Sequence, residues 1–557
     1  MKMIPAWIGV VGALVVCGLV DRRAEAAGGW ARAIGGSDQE YGYSCQATSD
    51  DGHILAGSTK SFGAGNYDAW CLKVDSSGNI TWQKTYGGSL IDAAFTIQQT
   101  LDGGYILAGY TTSFGAGSYD AWCLKLDGSG NVTWQKTYGG SNIESVESIQ
   151  QTTDGGYILA GYTASFGAGG SDAWCLKLDN SGNVTWQKTY GGSSNERAQS
   201  IQQTTDGGYV LAGDTTSFGA GGYDAWCLKL DNSGNVTWQK TYGGSSHETA
   251  QSIQQTTDGG YVLACYTHSF GAGSYDAWCL KLDSSGNATW QKTYGGSSSD
   301  TAQSIQQTTD GGYILAGETA SFGAGSYDAW CLKLDSLGSI TWQKTYGGSG
   351  SEDASCARQT SGGGYAIVGR TGSFGAGNND LLALRVSSSG DIDSSCGALV
   401  LGSAATVTNT PSGGSSTGGA VSDTAIAGMP SSSSASPSPA SNAAICSSPA
   451  APDLTGNWSK LSVKGGRIRG TLDCTNAGDA GSGQSVVKVY LSKGVAVGKR
   501  STLVTTVTIG ALSPGQISAI KVRATKGSRH KYLLGVIDAL GAVAEDDETN
   551  NAVAGKL

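Results

Sequence analysis

Chemically active side chains are scarce in this chain. It has four histidines, three methionines and eight prolines in 557 residues, and only 14% of its residues are charged. His53, His247, His268 and His530 are scattered without partner spacing, which leaves a histidine metal site or a serine–histidine–aspartate triad little to work with. Low charge argues against a helical protein, which would use far more Glu, Lys and Arg, and no segment carries helical periodicity. Basic surface is lacking too: the net charge is −10 and the pI near 5.0, which argues against nucleic acid as a partner. The apolar run from about Ala6 to Val20 is too short to span a bilayer. Lys2 precedes it, and Asp21-Arg22-Arg23 and Ala24-Glu25-Ala26 follow, so residues 1–26 read as a secretory signal peptide cleaved after Ala26. Val16 before Cys17 argues against lipid attachment, where a small residue is used. No later segment is a candidate transmembrane span, and the expected location is secreted, extracellular or at the cell surface.

What the chain has in abundance is glycine, 88 residues, and a repeat. Trp30, Trp82, Trp134, Trp186, Trp238, Trp290 and Trp342 stand 52 residues apart with nearly identical sequence between them. A fixed period of this length means a solenoid, a propeller or an array. β-branched and aromatic runs with turn punctuation divide the unit that follows Trp134 into four strands, near Val146 to Thr152, Tyr157 to Thr163, Asp172 to Leu178 and Val184 to Tyr190. Asp154-Gly155-Gly156 and Ser181-Gly182-Asn183 supply the hairpin turns. Four antiparallel strands per repeat is a propeller blade. The array starts with a lone fourth strand (Trp30 to Ile34) and ends on three strands near Val386, and those fragments complete one blade and hide both edges. The expected fold class is all-β: a seven-bladed β-propeller over 27–396 and a C-terminal Ig-like β-sandwich over 452–557. Between them, 397–451 is rich in Ser, Thr, Ala, Gly and Pro and reads as a disordered linker. The sandwich follows from short apolar runs such as Val486-Val487-Lys488-Val489-Tyr490-Leu491.

Several sets of residues invite a functional reading. Cys71, Cys123, Cys175, Cys227, Cys279 and Cys331 share one position and suit small buried apolar sites. Cys45, Cys265, Cys356 and Cys396 break the repeat; a Cys356–Cys396 bridge is one candidate, and Cys446–Cys474 in the C-terminal part is another. The repeated Phe and Trp positions fit either inter-blade packing or a sugar-stacking ring, with packing favoured. Glu40, Asp92, Glu144, Glu196, Glu248, Asp300 and Glu352 follow each repeat Trp by ten residues, and Asp68, Asp120, Asp172, Asp224, Asp276, Asp328 and Asp380 open every third strand. Both sets should rim one face. Each carboxylate either caps its own Gly-rich turn or joins a divalent-cation site, most plausibly for calcium. The residue after each Leu-Ala-Gly or its equivalent varies as Ser58, Tyr110, Tyr162, Asp214, Tyr266, Glu318 and Arg370, and these positions are the candidates for partner contact.

The repeat, WQKTYGGS then DGGYILAGYT then SFGAGSYDAWCLKLD, resembles tandem repeats of secreted bacterial β-propeller proteins. The hairpin Asp179-Asn180-Ser181-Gly182-Asn183-Val184-Thr185-Trp186 is similar to the tryptophan-docking motif of quinoprotein propellers, which implies that each Trp packs between blades. The C-terminal part, with Pro452-Asp453-Leu454, Thr475-Asn476-Ala477-Gly478, Leu512-Ser513-Pro514-Gly515-Gln516 and Asp547-Glu548-Thr549-Asn550-Asn551, resembles the CARDB domain, an Ig-like module associated with bacterial cell adhesion. A rigid ring that displays variable positions beside such a module suits binding or adhesion to an extracellular protein or glycan, without catalysis. The alternatives are a propeller hydrolase or lyase acting on an extracellular polymer, and a structural surface or matrix protein.

Overall fold

The computed structural model describes residues 29–392 continuously and, from 400 to 556, a series of strands. In the unit after Trp134 the four strands run Glu144–Gln151, Tyr157–Thr163, Asp172–Leu178 and Val184–Gly191, within two residues of the sequence expectation. We call them a to d. Strand a is innermost, because the a strands of successive units pack on one another around the ring. Seven such antiparallel sheets form. The last joins Glu352–Gln359, Tyr365–Thr371 and Asp380–Val386 to Trp30–Gly35 as its d strand, with Trp30 opposite Arg385 and Ile34 opposite Leu381. The ring is therefore closed by pairing the first strand with the last. Blades are numbered one (from Glu40) to seven (from Glu352).

Strand c explains why the blades stack. Asp-Ala-Trp-Cys-Leu-Lys-Leu is buried at every position because neighbouring blades cover both of its faces. Its Trp70, Trp122, Trp174, Trp226, Trp278 and Trp330 are fully buried, as are the six repeat cysteines, and ring pairs such as Phe114–Trp122 lie 5.9 Å apart. These aromatics are core. The repeat Trp on strand d lies against the c–d turn of the next blade: the Trp82 ring covers Gly130, Trp134 covers Gly182, and Trp30 covers Gly78 across the closure. Trp30 Nε1 also donates to the Ser76 carbonyl at 2.9 Å. Beside this contact the Tyr86 hydroxyl donates to the Gly130 carbonyl at 2.7 Å, and the bond recurs around the ring.

Beyond the ring, Val400–Gly402, Thr406–Asn409, Ser415–Ser416, Ala420–Asp423, Met429–Pro430, Ser436–Pro437 and Ser441–Ser447 are short strands. They pair with the d strands of blades six, five, four, three, two, one and seven in that order. The composition of 397–451 predicts a disordered linker, and these described residues of it are paired. Ladder pairing uses backbone groups alone, and each d strand offers an open edge, so a segment with no apolar pattern can add to it. Further on, two antiparallel sheets form. One pairs Leu454–Lys464, Arg467–Asn476 and Ile517–Thr525; the other orders Thr502–Ile509, Ser485–Ser492, Tyr532–Val536 and Ala552–Lys556. Three and four strands make an Ig-like sandwich, with Ile468, Leu472, Val489 and Ile520 buried. The signal segment and Cys396 lie outside the described residues. Among those described, no helix is long and apolar enough to cross a membrane.

Candidate functional site

Each a strand carries one β-bulge, and it falls thirteen residues after the repeat Trp in every blade: the pairing skips Tyr43, Phe95, Glu147, Gln199, Gln251, Gln303 and Ser355. A bulge leaves one residue unpaired and re-aims its side chain. Two residues earlier on strand a stand Tyr41, Ala93, Ser145, Arg197, Thr249, Thr301 and Asp353. Each is the cross-strand partner of one sequence-nominated residue on strand b: Ser58, Tyr110, Tyr162, Asp214, Tyr266, Glu318 or Arg370. Three variable positions per blade thus gather at one end of the inner wall, on the face where the carboxylates also lie.

The resulting mouth is asymmetric. Blades one to three supply an aromatic arc, with Tyr41 stacked on Tyr43 (6.1 Å), Tyr43 edge-on to Phe95 (5.1 Å) and Phe95 against Tyr110 (5.4 Å). Blades four, six and seven supply charge, with Arg197, Asp214, Glu318, Asp353 and Arg370. Arg197 stands cross-strand from Asp214, and Asp353 from Arg370, whose Nε lies 2.6 Å from the Asp353 carboxylate. Cation–π contacts mark both seams between the arcs, with Arg197 over Tyr162 at 5.1 Å and Arg370 over Tyr41 at 5.7 Å. Burial pushes the Asp214 carboxyl up to about 6 against the opposing pull of Arg197. Burial likewise raises Glu318 to about 6, with Asp353 adding repulsion.

Between blades four and five the mouth opens into a pocket of about 380 Å³ lined by Arg197, Asp214, Tyr223, His247, Tyr266 and Tyr275, among others. Tyr266 meets Tyr275 edge-on at 5.5 Å, and His247 lies 5.5 Å from the Tyr223 ring. His268 instead bonds Ser246 through Nδ1 at 2.8 Å. A groove of about 640 Å³ at the opposite end is lined by Asp154, Lys177, Asp179, Trp186 and Tyr209, all residues that recur from blade to blade. Its chemistry is that of the repeat; the chemistry of the mouth is particular to each blade.

The fourteen carboxylates do share one face, but they are buried and engaged. Glu40 accepts from the Gly36 N–H (2.8 Å), the Thr59 hydroxyl (2.9 Å) and the Ser61 N–H (3.1 Å), while Asp68 accepts from the Gly65 N–H (2.8 Å). The two sets meet at the blade junctions: a Cβ placed on Gly139 would lie 2.5 Å from both Asp120 and Glu144. Burial, with the facing acid adding repulsion, lifts Asp68 and Asp276 to about 6. Among the described residues no group of three His, Cys, Asp or Glu side chains is placed to hold a metal ion. Both sets therefore cap turns, Glu40 through both carboxylate oxygens and Asp68 through Oδ2. The lysines Lys73, Lys125 and their equivalents pair elsewhere, with Asp50 and Asp102 at 2.9 Å on the opposite end of the blades. Cys356 faces Cys45, and the side chains of Cys446 and Cys474 lie outside the described residues.

Comparison with known families bears on the C-terminal sandwich. A family model described as CARDB matches residues 451–555. This part of the chain is a CARDB domain. Among solved structures, the chain is similar to the CARDB domain of a Pyrococcus furiosus protein described as in complex with di-metal ions. Identity is 20% over 19% of this chain and 87% of that one, with a TM-score of 0.16. Comparison with curated proteins finds no match. The propeller and the CARDB domain together fit a binding or scaffold role.

Proposed function

We propose that the chain is a secreted binding protein that takes an extracellular glycan at the propeller mouth, with the CARDB domain serving attachment at a bacterial surface. The observation that carries this reading is the convergence of the three variable positions of every blade on one end of a ring that is otherwise repetitive. An aromatic arc opposite carboxylates and guanidinium groups suits a polyhydroxylated ligand: rings cover the apolar faces of a sugar, and Arg197, Asp214 and Arg370 hydrogen-bond its hydroxyls. Secretion is supported by the apolar run and small-residue triplet at residues 6–26. The role is binding without turnover. Full-length protein applied to a glycan array and to a protein array tests it. Retention of a defined glycan set, with the glycans recovered intact, is the expected result. Capture on the protein array alone would replace the ligand class, and cleavage of a retained glycan would make the mouth an active site.

A further inference from the structure

The junction between blades seven and one is chemically unlike the others. At five of the other six junctions a hydroxyl fourteen residues after the repeat Trp accepts the backbone N–H of the next blade: Ser44 from Ile97 at 3.3 Å, Ser148 from Ile201 and Ser200 from Ile253 at 3.2 Å, Ser252 from Ile305 at 3.4 Å, Ser304 from Ala357 at 3.5 Å. At the closure both positions are cysteine. Cys356 replaces the serine and Cys45 the isoleucine, and their sulfurs lie 3.1 Å apart. Both are buried within the same cluster as Ile34 and Trp70. We propose that Cys45 and Cys356 form a disulfide that locks the propeller ring covalently, at the junction where the chain would otherwise be closed by strand pairing and packing.

The two cysteines stand 311 residues apart and on adjacent inner strands. A bond needs the sulfurs to approach by about 1 Å, a rotamer-scale movement. The Cys356 thiolate attacks one sulfur of an incoming disulfide, either glutathione disulfide or the disulfide of a thiol oxidoreductase, and displaces the first thiolate. Cys45 then attacks the mixed disulfide at the Cys356 sulfur and displaces the second. In total two S–H bonds are lost and one S–S bond is formed. The two protons and two electrons are taken up by the incoming disulfide, which is reduced to two thiols. Because both thiols are covered in the closed ring, the oxidant acts while the first and last blades are apart.

The test uses the full chain refolded in a glutathione redox buffer, then denatured without reductant, alkylated and mapped by mass spectrometry. A cross-linked peptide joining Cys45 to Cys356 is expected, with a melting temperature that falls by about 5 °C or more when reductant is present during refolding. Alkylation of both Cys45 and Cys356, or a bridge from Cys356 to Cys396, would overturn the proposal. The paired variant Cys45→Ser with Cys356→Ser should melt as the reduced chain does; a paired variant as stable as the oxidised chain would also overturn the proposal.

Discussion

Two glycines in blade two provide a sharp measure of what holds blade to blade. Gly103 closes the a–b turn and Gly130 the c–d turn, with φ of 80° and 76°, and each donates its N–H across its turn at 2.9 and 3.0 Å. Local geometry is thus matched. A Cβ at Gly103 meets nothing within 4 Å, whereas one at Gly130 would lie 2.8 Å from Cζ3 of Trp82. Gly103→Ala should then cost only the left-handed backbone penalty, about 1–2 kcal/mol. Gly130→Ala bears the same penalty plus about 1–3 kcal/mol for crowding a rigid ring that cannot retreat without opening the blade interface. Guanidinium unfolding followed by tryptophan fluorescence gives both values, and the difference between them is the docking term. Equal costs within about 0.5 kcal/mol would refute the argument that Trp–Gly docking couples adjacent blades.

Stability should pass through a maximum in mildly acid solution, checked by thermal melts between pH 2 and 8. Asp68 and Asp276 are raised to about 6 by burial, so their contribution is complete below the ordinary carboxylate range and is lost as pH rises through about 6. Against desolvation, hydrogen bonds from Thr48 and Lys73 hold Asp50 at about 2, and Asp102, Asp154, Asp206, Asp258 and Asp310 match it; their contribution holds above about 4 and is lost towards pH 2. Removing residues 27–36 should destabilise the ring by several kcal/mol, seen as a lower melting temperature, because it takes away a strand whose residues are all buried. Chelator and millimolar calcium should leave the melting temperature of the full chain unchanged if the rim carboxylates serve as turn caps, as Glu40 does by accepting from the Gly36 N–H and the Thr59 hydroxyl.

Much of this architecture could be read from the chain itself. The tryptophan period announced the blades, and the two incomplete units at the ends announced the closure through Trp30–Gly35. Strand-b positions such as Asp214 and Arg370 were visible because they vary inside a near-identical frame. Their partners Arg197 and Asp353 vary at the same rate, but nothing in a one-dimensional repeat says that positions seventeen residues apart face each other across a hairpin. The bulge at Tyr43 and Phe95 was hidden for a related reason, since an extra residue in strand a has no turn signature of its own. Cys45 and Cys356 look unrelated until the ring closes, because their contact depends on the first and last blades becoming neighbours. The carboxylate rim was placed on the correct face, but the number of backbone donors aimed at each acid is a property of the folded turns.

We assign ligand recognition in the proposed function to the variable mouth and not to the repeat. Titration calorimetry of an array-selected glycan into the full chain and two variants tests it directly: Arg197→Ala at the mouth and Asp179→Asn in the groove at the opposite end. Arg197→Ala should weaken binding by about tenfold or more, equivalent to about 1.4 kcal/mol, while Asp179→Asn should bind as the parent does. Unchanged affinity for Arg197→Ala with a loss for Asp179→Asn would contradict that assignment.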